Sequence, residues 1–131
     1  MRKKGNRAIY LDRLLSFYRG DLLEAVKRVI LLRLGTDRTD LVSVAGLMGL
    51  NPRTLRRTLA RSGCTYRVLL DGVRCQQAHE MARASHYSMS EIAFRLGFSE
   101  VSAFSRAWRR WFGDSFTASK LKFNNKALRV G

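Results

Sequence analysis

A chain of 131 residues with 25 Lys and Arg against 10 Asp and Glu carries a formal charge of +15 and is sized for one domain or for two small ones sharing a linker helix. That excess is far above what solubility asks for and implies a polyanionic partner or a strongly self-repelling surface. Two cysteines, Cys64 and Cys75, belong to no Cys/His cluster; they argue against a zinc site and a disulfide framework, and fit a reducing cytoplasm.

In chain order, residues 1–20 form a basic tail, a linker or the remnant of an upstream domain. Met1 to Arg7 is basic without the apolar run of a secretory signal. An amphipathic stretch follows with Tyr10, Leu11, Leu14, Leu15, Phe17 and Tyr18, interrupted by Asp12 and Arg13, so no membrane span is expected. Asp21 with Glu24 three residues on predicts a capped helix whose stripe is Leu23, Val26, Ile30 and Leu34, ending at Gly35.

After the loop 35–40, Asp40 is placed to cap a short helix carrying Leu41, Val44, Ala45 and Met48. Gly49 supplies a turn. Asn51 then caps a second helix with Pro52 at its first position, and Leu55 and Leu59, four apart, face inward. A long helical segment from about Tyr66 to Ala84 follows, with Leu69, Val73, Gln77, Met81 and Ala84 on related faces. Gly72 lowers its local propensity by roughly 1 kcal/mol relative to Ala, so the helix is expected to bend or to begin weakly there. His79 and His86 read as structural or surface residues.

The stretch from Ser90 to Gly113 repeats the pattern 48 positions on: Ile92-Ala93 and Leu96-Gly97-Phe98 stand where Val44-Ala45 and Met48-Gly49-Leu50 stood. Ser90 is a candidate cap for its first helix and Ser99 for its second, whose apolar stripe is Phe104, Ala107, Trp108 and Trp111. The second copy has one more residue in the turn, since Gly49 to Leu55 is six positions and Gly97 to Phe104 is seven. Two helices, a glycine turn and a basic second helix make a helix-turn-helix, here in duplicate. Trp108 and Trp111 share the apolar face and are expected in the core. Asp114 or Ser115 caps a short last helix through Leu121, and the polar remainder is expected to fray.

Charge follows the repeat. Between Leu41 and Leu70 there is no acid, against Arg53, Arg56, Arg57, Arg61 and Arg67; from Val101 to Gly113 there is again none, against Arg106, Arg109 and Arg110. Neutralisation of phosphates would use such a local excess and would weaken with salt. No nucleophile-base arrangement, phosphate-binding glycine loop or metal-ligand cluster is present, so no enzyme, cofactor or metal is expected.

Together the two units resemble the DNA-binding region of the AraC/XylS family of bacterial transcription regulators. The likeness is carried by Asn51-Pro52-Arg53-Thr54-Leu55-Arg56-Arg57 with Gly63, by Val73-Arg74, and above all by Glu91 to Glu100 continuing through Phe104-Ser105-Arg106-Ala107 to Trp111-Phe112-Gly113. It covers roughly residues 21 to 121. The resemblance implies an all-α fold of about seven helices: a first helix-turn-helix subdomain at 21–64, a connector helix at 65–85, a second subdomain at 86–122 and a polar tail at 123–131. Where the family usually has Pro after Gly-x-Ser, this chain has Phe116, which predicts weaker docking of the last helix. Most members also carry a sensing or dimerisation domain, so the chain resembles either the small stand-alone members or an isolated C-terminal portion.

The function so implied is sequence-specific binding of double-stranded promoter DNA by two recognition helices in successive major grooves, with activation through RNA polymerase as the family's usual behaviour. No dimerisation element is evident. Base-facing positions fall on Arg53, Arg56 and Arg57, whose forks suit guanine edges, and on Arg106, Ser102, Val101 and Ala103 in the second helix. Asn51, Thr54, Arg61, Ser99, Arg109 and Arg110 are assigned to phosphates or the surface. Glu100 would repel phosphate unless it accepts from a cytosine amine. The competing reading is a truncated DNA-occupying fragment or protein-interaction module without regulatory activity of its own.

Overall fold

The computed structural model describes residues 22–36, 38–84 and 86–130, with side chains described as far as residue 125. The Asp21 cap and the Tyr10–Tyr18 stretch lie outside the described residues. The described chain is all-α, with seven helices: α1 (Leu22–Arg33), α2 (Leu41–Leu47), α3 (Pro52–Arg61), α4 (Tyr66–Arg83), α5 (Met89–Arg95), α6 (Val101–Phe112) and α7 (Phe116–Val130). They fall into two compact units divided between Val73 and Arg74, each built around one helix-turn-helix.

In the first unit, α1 packs on α2 and α2 on α3. Leu22, Ala25, Val26 and Ile30 of α1 are buried with Val44, Ala45, Met48, Leu50, Leu55 and Leu59, while Leu23 and Leu34 pack only at the margin. The stripe of α1 is thus centred one position earlier than the Leu23-to-Leu34 pattern suggested. Leu69 and Val73, from the first half of α4, complete this core. The Tyr66 hydroxyl donates to the Thr39 carbonyl, tying α4 to the loop that precedes α2.

In the second unit α5 packs on α6 and α6 on α7. Its core is Ala78, Ala82, Ile92, Ala93, Leu96, Phe104, Ala107, Trp108 and Phe116. Trp108 is fully buried and Trp111 half-buried, in an aromatic group with Phe98, Phe104, Phe112 and Phe116. His79 lies between Phe112 and Phe123, with ring centroids 5.5 and 5.4 Å away. His86 is exposed and close to Tyr87.

Several local expectations need correction. Helix α4 runs through Gly72 without interruption. Its buried positions step by five from Val73 to Ala78, leaving Gln77 and Met81 half-buried and Ala84 exposed, because its two halves serve separate cores. Ser88, not Ser90, caps α5: its hydroxyl accepts from the Glu91 amide at 3.1 Å, and Glu91 Oε1 accepts from the Ser88 amide at 3.4 Å. Only Ser88 stands three residues before a Glu that can reach back. Ser99 does not cap α6 either. The extra turn residue moves the N-cap to Glu100, which makes no side-chain cap hydrogen bond.

The last helix continues to Val130 instead of ending near Leu121. Contact of Phe123 with His79 holds its third turn, and the next glycine is Gly131. Phe116, where Pro was the family expectation, is itself buried. Its ring lies 5.1 Å from Trp108 and 6.0 Å from Phe104, so an aromatic anchor holds the start of the helix where a rigid φ angle would otherwise have set it. Ser115 caps this helix by accepting from the Ala118 amide at 3.2 Å, while Asp114 pairs with Lys122 at 2.6 Å. That hydrogen bond, and then the charge of the Lys122 ammonium, hold the Asp114 carboxyl below its ordinary range.

Candidate nucleic-acid interface

Both helix pairs turn by the same hydrogen bonds. After α2 the Leu50 amide donates to Ala45 O at 2.8 Å and the Gly49 amide to Gly46 O at 3.1 Å; after α5 the Phe98 amide donates to Ala93 O at 3.0 Å and the Gly97 amide to Phe94 O at 3.1 Å. This pair of bonds closes a helix with one residue in the left-handed region, and Gly49 (φ 69°) and Gly97 (φ 84°) hold that position. Below each turn a small residue, Ala45 or Ala93, lets the helices cross closely.

The turn delivers α3 with one side sealed. Asn51 Oδ1 accepts from the Arg53 amide at 2.8 Å, Pro52 occupies the first helical position, and Leu55 and Leu59 are wholly buried. With period 3.6, that places Arg53, Arg57 and Arg61 away from the core, flanked by Thr54 and Arg56, and all five are exposed. Neither of the ion pairs Lys27–Glu24 and Lys122–Asp114 draws on these arginines. No acidic residue lies between Leu41 and Leu70, so the chain around this arc supplies no carboxylate to offset its arginines.

Helix α6 seals Phe104, Ala107 and Trp108 and exposes Val101, Ser102, Arg106, Arg109 and Arg110. Ala103 is only half-exposed. Ser102 Oγ donates to Glu100 Oε2 at 3.2 Å, so both polar groups at the start of this helix are engaged with each other. The Arg110 guanidinium lies 5.7 Å from the Trp111 ring centroid, an aromatic contact that ties it to the protein surface. Asn51 and Ser99 are exposed at the two helix entries, with the Asn51 carbonyl oxygen committed to its cap.

Each helix thus brings its own candidates onto one exposed arc: Arg53, Arg56 and Arg57 with Thr54 and Arg61 on α3, and Val101, Ser102 and Arg106 with Arg109 on α6. The sequence pattern did not reveal Arg74 as a part of the site. It reaches from α4 to the second turn, where Nε donates to Leu96 O at 3.0 Å and Nη2 to Gly97 O at 3.4 Å. The contact spans more than twenty positions, and no local pattern announces it. Among the described residues no group of His, Cys, Asp or Glu could hold a metal, and no helix is long and apolar enough to cross a membrane.

The family model described as "Helix-turn-helix domain" matches residues 44–120, which holds both turns and both exposed arcs. The chain belongs to the helix-turn-helix domain family. Among relatives, the ornithine utilization regulator of Pseudomonas aeruginosa is 40% identical over 92 residues, covering 70% of this chain and 27% of that protein. The transcriptional activator RhaS of Escherichia coli is 36% identical over 77 residues, covering 58% of this chain and 28% of that protein. The chain therefore spans only about a quarter of the length of either relative. Among solved structures, the DNA-binding domain of the transcriptional factor AdpA, in complex with a target DNA, superposes with a TM-score of 0.66 at 26% identity, over 79% of this chain and 94% of that domain. These relatives are regulators, and the helix-turn-helix of this chain is related to AraC/XylS-family members.

Proposed function

We propose that the chain is the DNA-binding portion of an AraC/XylS-type transcription regulator in the bacterial cytoplasm. It reads double-stranded promoter DNA with α3 and α6 in successive major grooves and acts as an activator. One observation carries this reading: in each of two units, a helix fixed by the same glycine turn buries its apolar side and exposes an arc of arginines, with no acidic residue within the helix itself. A helix of this kind fits the major groove, where an arginine fork can donate two hydrogen bonds to a guanine edge. The AdpA domain with its target DNA and the activator RhaS support the assignment.

Direct readout is assigned to Arg53, Arg56 and Arg57 on α3 and to Arg106 on α6, with Ser102 on a base or a phosphate and Val101 or Ala103 against a thymine methyl. Asn51, Thr54, Arg61, Ser99, Arg109 and Arg110 grip phosphates or remain at the surface. Two unlike recognition helices predict an asymmetric site whose halves are about 34 Å apart along the duplex, one helical turn. Selection of genomic fragments followed by footprinting tests this directly. Two protected grooves without a palindrome are expected, and one protected groove, unchanged when either helix is disabled, would refute it.

In a second reading the chain occupies DNA without regulating it. Transcription from a promoter carrying the selected site separates the two. Activation that needs RNA polymerase contact supports the first, and binding with no change in transcript supports the second.

A further inference from the structure

We propose that Arg74 is the positioning residue of the second helix-turn-helix, the group that sets the angle at which α6 leaves its turn. The inference rests on the reading of α6 as a recognition helix.

The second turn begins at the end of α5. Leu96 is the C-cap of that helix and Gly97 is the left-handed residue after it, so their carbonyls lie where a helix leaves acceptors without intrahelical donors and where its dipole is negative. The Arg74 guanidinium meets both, with Nε on Leu96 O at 3.0 Å and Nη2 on Gly97 O at 3.4 Å. The same planar group lies 4.7 Å from the centroid of Phe98, the next residue along. Phe98 in turn packs against α6, 5.5 Å from Phe104 and 6.4 Å from Trp111. One side chain anchored on α4 therefore grips three consecutive residues of the turn, and the last of them bears on the recognition helix.

The two turns differ in a way that gives this clamp its purpose. The first passes from Leu50 straight to Asn51, whose side chain caps α3. In the second, Ser99 is added and the N-cap is Glu100, which makes no cap hydrogen bond. A longer turn with an uncapped exit has less to fix the direction of its helix locally, and the guanidinium supplies that constraint from outside. Arg offers a fork and a stacking plane together, which a lysine ammonium does not.

The test uses the full chain with Arg74→Met and Arg74→Lys. Amide hydrogen exchange at Gly97 and Phe98, compared with Gly49 and Leu50, reads the turn without DNA; Arg74→Met should speed the first pair and leave the second pair unchanged. Base-substituted duplexes, sorted into those whose effect disappears with Arg57→Ala and those whose effect disappears with Arg106→Ala, read the two helices separately. Arg74→Met should reduce discrimination about ten-fold in the Arg106 group, the size expected for lost hydrogen bonds to a charged group, with little change in the Arg57 group. Arg74→Lys should recover part of it, and carries the test alone if Arg74→Met does not fold.

Equal losses in both groups would make Arg74 a merely structural residue, and full recovery by Lys would show that charge suffices. Unchanged exchange at Gly97 and Phe98 would remove the clamp itself. If Arg106→Ala alters no base preference, the recognition reading of α6 has failed and the positioning role falls with it, while the exchange data still decide whether Arg74 holds the turn.

Discussion

The indole N–H of Trp108 donates to the hydroxyl of Ser119 at 2.9 Å, with both residues buried, joining α6 to α7. Trp108 lies beneath the exposed arc of α6, so this bond supports the helix from behind. Ser119→Ala removes the acceptor and leaves a buried donor unsatisfied, a loss of about 1–3 kcal/mol. Both tryptophans of the chain are in the second unit, so urea unfolding followed by tryptophan fluorescence reports on that unit. An unchanged midpoint would show that another group accepts the hydrogen bond of the Trp108 N–H.

Helices α3 and α6 begin differently, and their stabilities should respond in opposite directions. Asn51→Ala removes the bond to the Arg53 amide and should cost about 1 kcal/mol. Glu100 sits at the N-cap of α6 with extended backbone, but its side chain is one methylene longer than the Asp and Asn that favour this position, and it makes no cap bond. Glu100→Asn should therefore stabilise the chain, by about 0.5–1 kcal/mol, even though it gives up the contact from Ser102. Thermal unfolding of the two variants measures the contrast. A loss of stability in Glu100→Asn would show that the Ser102–Glu100 contact already does the work of a cap.

The duplicated unit was legible because its apolar spacing and its glycine recur together: Val44-Ala45 with Met48-Gly49, then Ile92-Ala93 with Leu96-Gly97. Asn51 was legible as a cap because it stands alone before Pro52, and Asp40 because the apolar run of its helix begins directly after it. Ser88 and Ser90, or Ser99 and Glu100, compete within two residues, and bonds that close only in three dimensions decide between them. The reach of Glu91 back to Ser88 was the one such signal present in the sequence. The exposed arc of α3 follows from Leu55 and Leu59 by periodicity alone. Neither the clamp of Arg74 on Leu96 and Gly97 nor the division of α4 between two cores has a local signature, since both depend on residues far along the chain.

Glycines in this chain divide into those that the backbone requires and those that it does not. Gly49 and Gly97 have φ of 69° and 84°, so an alanine at either should cost on the order of 1–2 kcal/mol. Gly72 lies inside α4, and a Cβ there meets nothing within 4 Å. Gly72→Ala should therefore stabilise the chain by about 1 kcal/mol, the difference in helix propensity. Circular dichroism melts of Gly97→Ala and Gly72→Ala should move in opposite directions, and a destabilised Gly72→Ala would refute the assignment.

Asp40 makes α2 sensitive to acid. The Ser43 hydroxyl donates to its carboxylate at 2.6 Å and the Ser43 amide at 3.1 Å, and these bonds, the hydroxyl's first, hold its pKa below the ordinary 3.8. The unfolded chain therefore binds this proton more readily than the folded one. The stabilisation is fully present above the ordinary value and is lost as pH falls through the lower folded one. Because Asp40 is exposed, the effect is small and confined to the acid limb. Asp40→Asn keeps a cap of similar quality without a titrating group, so its stability should fall less between about pH 5 and 2 than that of the parent chain. Parallel acid slopes in the two proteins would assign that limb to other carboxylates.

Position along α3 predicts two kinds of arginine. Arg53 and Arg57 lie on the first two turns of the exposed arc, close to the helix entry that a groove would receive, and Arg61 is the last residue of the helix. On the proposed reading, Arg53→Ala and Arg57→Ala each remove a bidentate base contact and should cost about 1–3 kcal/mol of discrimination between the selected site and random duplex. On the same reading Arg61→Ala removes a phosphate contact. It should weaken binding to both duplexes alike and lower the slope of log affinity against log salt by about one. Titration of all three variants on both duplexes over a range of salt separates the roles. If Arg53→Ala and Arg57→Ala lose affinity equally on selected and random DNA, their guanidinium groups hold the backbone, and specificity must arise elsewhere on the two helices or from the deformability of the duplex.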